Sequence, residues 1–159
     1  MAAVEVISGI ATALEHSGLG QATRSSGLLY PLANMAHVLG AALLVGSIAT
    51  LDIEVLRRGN SGHAMYAAVI SVAVTGFVLQ VGSGVVLLSA DAAAVVRNPA
   101  FLFKMAMLVV GLVNAALFHW QFGRAGKAGV VYPASRVLAA VSLVSWVLVL
   151  LAGRLIAYL

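Results

Sequence analysis

Four stretches of this chain, roughly 30–51, 65–88, 101–122 and 136–157, are almost wholly apolar and long. Each exceeds the roughly 20 residues that a helix needs to cross the hydrocarbon core of a bilayer. That length, four times over, predicts an all-α integral membrane protein, a four-helix bundle over residues 29–159. Composition agrees. The chain is 62% hydrophobic and 9% charged, against about 25% charged for a soluble domain. Too little polar sequence remains for a separate soluble domain. The run boundaries carry helix signals. Pro31 opens the first run, Asn98-Pro99 reads as an N-cap and first helical residue for the third, and Tyr132-Pro133 precedes the fourth. The connections between runs are short, which places sequential helices side by side and antiparallel.

Residues 1–28 have another character. Ile7, Ile10, Ala11 and Leu14 share one helical face, and Glu5, Ser8, Thr12 and Glu15 share the other. This predicts a short amphipathic helix at the membrane surface, followed by a loop. A signal peptide is excluded, because the first residues lack positive charge and two glutamates interrupt the apolar stretch.

Charge gives an orientation. Arg57, Arg58, Arg124, Lys127 and Arg136 fall on one side of the four runs, and Arg24 and Arg97 on the other, with Lys104 and Arg154 just inside the membrane there. The richer side is expected in the cytoplasm, so both termini are expected in the periplasm of a bacterial inner membrane. The formal net charge of +4 is scattered singly near helix ends. It forms no stripe of the kind that binds nucleic acid, so the expected partner is the lipid bilayer. Cysteine is absent, which removes disulfides, thiolate metal sites and cysteine nucleophiles.

Two histidines sit inside the apolar runs, and an ionisable group at membrane depth marks a site by default. With a helical rise of ~1.5 Å per residue, His37 lies about 10 Å below the outer end and His119 about 28 Å below it. The two cannot ligate one iron in one subunit. At the outer level lie Tyr30, Asn34, His37, Ser83, Lys104 and Arg154, with Gln80 slightly deeper on a small-residue face with Gly76. Lys104 and Arg154 bring two cations and no carboxylate, which favours an anionic or electron-rich ligand: a haem propionate, a quinone oxygen or an acidic small molecule. The competing reading for both cations is snorkelling to lipid phosphates. At the inner level lie Asp52, Glu54, His63 and His119, and an Asp52–His119 pair at the membrane boundary is the expected structural contact. Met35, Met105 and Met107 read as packing residues, although a thioether is also able to ligate haem iron or copper.

The segments YPLANMAHVLGAALLVGSIATLDIEVLRRG, RNPAFLFKMAMLVVGLVNAALFH and AGRLIAYL together resemble an uncharacterised family of small bacterial four-span membrane proteins. More distantly the layout is similar to the membrane-type protoporphyrinogen oxidase family and the copper-resistance protein D family. Both show an early histidine in one helix and a lysine opening a later one. The resemblance implies that His37 and Lys104 are the matching positions, with His119 matching a later histidine of the oxidase, and that haem b is a cofactor. Where the oxidase family carries an arginine and aromatic signature after its first histidine, Leu51-Asp52-Ile53 stands here.

The function expected from the residues and the resemblance together is a redox role. A b-type haem or a quinone would sit in the outer half of the bundle, and electrons would pass to a partner subunit. His37 would be the iron ligand or hydrogen-bonding group, with His119 a weaker candidate for metal. Lys104, Arg154, Gln80, Asn34 and Tyr30 would complete the cofactor site. Two alternatives stand beside it: copper handling or transport, and a non-catalytic anchor or assembly subunit. A homo-oligomer is compatible with each.

Overall fold

The computed structural model describes residues 2–58, 63–122 and 133–158 of the 159-residue chain. Among these residues the protein is all helical, with seven helices in the order α1 (Ala2–Glu15), α2 (Gly18–Ser25), α3 (Leu29–Arg58), α4 (His63–Ala90), α5 (Ala92–Val95), α6 (Pro99–Phe122) and α7 (Pro133–Leu155). α3, α4, α6 and α7 are each long and apolar enough to cross a membrane. The end where α3 and α6 begin is called here the near end; α1, α2 and α5 lie there. Residues 59–62 and the basic residues Arg124 and Lys127 lie outside the described residues, as do the side chains of Arg58 and His63.

The boundaries differ from the sequence expectation where polarity and helicity part company. The first apolar run stops at Leu51, yet α3 continues through Asp52, Glu54 and Arg57 to Arg58. Charged residues end an apolar run without ending a helix, and no proline or glycine lies between Leu51 and Gly59. α6 starts as expected. Asn98 Oδ1 accepts from the main-chain N–H of Ala100 at 2.8 Å, and Pro99 takes the first helical position, where its missing N–H costs nothing.

The N-terminal segment is two helices rather than one helix and a loop. Ser17 separates them and caps α2, its Oγ accepting from the Gly20 N–H at 3.2 Å. α1 docks through Ala11 and leaves Ile7 and Ile10 exposed, an apolar face suited to the bilayer surface. α2 locks onto the end of α4. Arg24 Nη1 donates to the Ser89 and Ala90 carbonyls at 3.4 and 3.2 Å, and its Nη2 donates to the Glu15 carbonyl at 2.9 Å. One guanidinium thus serves acceptors that the C-terminus of α4 leaves unpaired. Arg24→Ala is expected to free this cap at a cost of about 1–3 kcal/mol. Hydrogen exchange should quicken across α1 and α2 while the four long helices keep their protection. Unchanged exchange in α2 would remove the clamp.

The four long helices pack in the order α4–α3–α7–α6, and α4 and α6 barely meet, so the bundle is open along one side. The α3–α4 contact is the closest. A Cβ built on Gly76 would lie 2.5 Å from the Leu44 nitrogen and 2.8 Å from the Gly40 carbonyl oxygen. Two glycines therefore bring these backbones together, as in small-residue interfaces of membrane helices. Between the two halves lies a core of Leu44, Val45, Ala73 and Trp146, with Ile48, Phe77 and Leu108 packed on it. Gly111 of α6 leaves room for the Trp146 indole. Hydroxyls on outward faces satisfy themselves one turn back: Thr50 on Gly46, Ser71 on Ala67 and Thr75 on Ser71, at 2.8–3.1 Å.

Candidate functional site

The near half of the open side holds the polar residues. His37 stands on α3, eight residues from its start, and its Nδ1 lies 2.9 Å from Ser83 Oγ of α4. The Ser83 hydroxyl itself bonds the Leu79 carbonyl. A hydroxyl has one hydrogen, and Ser83 spends it on Leu79. The bond to His37 must then run the other way, with Nδ1–H donating to Ser83 Oγ. The network so assigns the tautomer: Nε2 carries a lone pair, and none of the hydrogen bonds among the described residues uses it. Two neighbours fix the ring. Gln80 Nε2 donates to the His37 carbonyl at 2.6 Å, holding α3 against α4. Gly84 leaves a gap that a side chain would close, since a Cβ there would lie 3.3 Å from Cε1 of the ring.

Lys104 enters from the other pair of helices. It lies on α6, half-buried, with its Cε and Nζ each 3.6 Å from the Cβ position of Gly153 on α7. It is five residues into its helix, so its level matches that of His37 within about 5 Å. An imidazole and an ammonium thus stand at one level of the bundle, on α3 and α6, with a glycine beside each, Gly84 and Gly153.

The remaining expected members of the site behave differently. Arg154 is exposed and engages Tyr158, one turn on. Its Nη2 donates to the phenol oxygen at 3.1 Å, and the guanidinium stands 5.4 Å from the ring centroid. No described contact brings it to His37. Asn34 and Tyr30 are exposed, Tyr30 at 49%. Gln80 holds the backbone rather than presenting its amide to a ligand. The described contacts join His37 and Ser83, with Gln80 and Gly84 positioning the imidazole and Lys104 at the same level on α6. Ser83 and Gly84 had a trace in the sequence, because Gly82-Ser83-Gly84 inside an apolar helix marks a close approach.

His119 belongs to the far end. Its Nδ1 is 3.1 Å from the Tyr66 hydroxyl of α4. Ser83 and Tyr66 are 17 residues apart on one helix, so the two imidazoles are separated by about 25 Å along α4. The expected Asp52–His119 pair is not formed. Asp52 turns into the seam with α7, where the Ser142 hydroxyl reaches its carboxyl group, and His119 takes Tyr66 instead. Both side chains sit at the expected end, but α3 faces α7 there and α6 faces α4. Among the described residues no group of three or more His, Asp or Glu side chains is gathered in a way that would hold a metal ion.

Comparisons with protein-family models, with curated proteins and with solved structures return no match for this chain.

Proposed function

We propose that this protein is a redox-linked membrane protein whose near-end cleft binds the headgroup of a quinone. The observation that supports it is the Nε2 of His37, which no hydrogen bond among the described residues uses, at the same level of the bundle as the Lys104 ammonium. A quinol hydroxyl needs an acceptor, which Nε2 supplies. A quinone carbonyl needs a donor, which Lys104 supplies. The open side between α4 and α6 lets a lipid-borne ligand enter from the bilayer without crossing water. Ser83 keeps the imidazole in the tautomer that accepts at Nε2, and the Gln80–His37 bond keeps α3 and α4 in register. Electrons leaving this site would pass to a partner redox subunit.

A b-type haem is the second reading, supported by the same tautomer. A histidine that ligates iron through Nε2 gives its Nδ1–H to a nearby acceptor, as His37 does to Ser83. Lys104 would stand against a propionate. The donor set fits one axial ligand, and His119 is too far to be the second. In orientation, we infer that the near end faces the periplasm of a bacterial inner membrane, because Arg57, Arg58, Arg124, Lys127 and Arg136 gather toward the other side. In this cysteine-free chain, Asn60→Cys should resist an impermeant thiol reagent added to intact cells, and ready labelling would reverse the orientation.

The site is tested by titrating purified protein in mild detergent with a short-chain quinone and recording its visible spectrum. Quinone binding is expected, weakened at least tenfold, about 1.4 kcal/mol, by His37→Ala and by Lys104→Ala, with Arg154→Ala close to wild type. A Soret band lost in His37→Ala and kept in His119→Ala would establish the haem reading instead. Wild-type protein that binds neither quinone nor haem overturns both.

A further inference from the structure

The far half of the bundle holds a second polar cluster that the His37 site does not use. Asp52 of α3 is 7% exposed, and its Oδ2 is buried without a hydrogen-bond partner. The Ser142 hydroxyl of α7 is the polar group that reaches its carboxyl. Three successive turns of α7 face this seam. At Leu138 the carbonyl accepts from Asn114 Nδ2 of α6 at 3.1 Å. At Ser142 stands Asp52. At Trp146, 1% exposed, the indole Nε1 is the other buried side-chain atom without a partner among the described residues. Ser135 and Ser145 are buried on α7 as well. The near half of α7 buries Val149 and Ala152 in their place.

A bare carboxylate in this position is costly. Among the described residues it has one hydroxyl donor and no cation beside it. The groups around it do not supply the charge. On α3, Glu54 lies two residues away and so on another face, and Arg57 is exposed. On α7, Arg136 is exposed. On α4 and α6, Tyr66 and His119 bond each other. Ser142 stands seven residues inside the end of its apolar span, about 10 Å, and Asp52 five residues inside the end of its own, about 7 Å.

We propose that Asp52, with Ser142, is a binding site for a small monovalent cation, a proton or a sodium ion, that neutralises the carboxylate within the bundle. A proton makes the group a neutral acid. A sodium ion takes oxygen ligands from the carboxylate, the Ser142 hydroxyl and neighbouring carbonyls. The site is independent of the His37 cleft. Fifteen residues of α3 separate them, about 22 Å, and the Leu44–Val45–Ala73–Trp146 core lies between. Failure of the quinone reading leaves this proposal intact, and the reverse holds too.

The test compares the thermal stability of full-length wild type and Asp52→Asn in detergent, across pH and across sodium chloride with choline chloride holding ionic strength. If the cation is a proton, wild type loses stability relative to the variant as pH rises above the range of a free carboxyl, about 4, because the unfolded chain gives up its proton while folded Asp52 still holds one. The loss should be roughly 3 °C for each pH unit and should stop once Asp52 ionises in the folded protein. If it is sodium, added sodium raises the midpoint of wild type and leaves Asp52→Asn unmoved. Midpoints that move in parallel under every condition overturn the proposal. Should Asp52→Asn fail to fold, labelling of wild type by an apolar carbodiimide decides. Modification of Asp52 that falls with rising pH or with sodium supports the site, and modification that is absent or indifferent to both overturns it.

Discussion

Gly76→Ala should destabilise the protein by about 2–3 kcal/mol, although it adds a single methyl group. The new Cβ would fall 2.5 Å from the Leu44 nitrogen and 2.8 Å from the Gly40 carbonyl oxygen. Both are backbone atoms, so no side chain can rotate away; α3 and α4 must move apart. Within a bilayer, helix association rests on close packing because lipid tails are as apolar as leucine. Separating the backbones therefore loses the largest helix interface in the molecule, and overpacking alone costs on the order of 1–3 kcal/mol. The Gln80–His37 bond spans the same interface, so the change should also weaken the quinone binding proposed for the near end. Gly46→Ala is the control. Nothing lies within 4 Å of its Cβ position, and it should be neutral or slightly stabilising, since alanine is the better helix former. Unfolding of the two variants in mixed micelles, followed by circular dichroism, measures the difference. Equal stability would mean that the two helices do not meet at Gly40 and Gly76.

Trp146→Ala should cost more, about 3–5 kcal/mol. The indole is 1% exposed and fills the centre of the bundle between Leu44, Val45 and Ala73, with Gly111 of α6 against its face. Removing it leaves a cavity that these neighbours cannot close without moving a helix, and the lining loses its dispersion contacts outright. Trp146→Phe separates packing from polarity. It keeps most of the ring and deletes an N–H that has no partner, and burying such a donor carries its own penalty. Phenylalanine should therefore recover most of the loss. Trp120→Ala, at a position 69% exposed, should change stability by less than about 0.5 kcal/mol. If Trp146→Ala and Trp120→Ala prove alike in chemical unfolding, the core assignment is wrong.

The spans were legible in the sequence because the requirement behind them is local. A helix in hydrocarbon satisfies its own backbone and needs about 20 apolar residues in a row. The Asn98-Pro99 start of α6 was legible for the same reason: capping depends on residues within one turn. The depth of His37 and Lys104 followed from counting residues at a fixed rise. What each helix faces was not legible. Spans that are apolar on every side carry little periodicity to mark an inward face. The order α4–α3–α7–α6, and the open side it leaves, belong to the tertiary structure alone. That order separates Asp52 from His119 and gives them Ser142 and Tyr66 instead. It also seats Lys104 of α6 beside Gly153 of α7. The tautomer of His37 rests on Ser83 and Leu79, 46 and 42 residues away in the chain, so no local pattern could have set it. Length and polarity along the chain determined that this protein has four helices long and apolar enough to cross a membrane, and how far along each its ionisable groups lie. Helix packing, through close approach at Gly40 and Gly76 and the filling of the centre by Trp146, decided which of those groups meet.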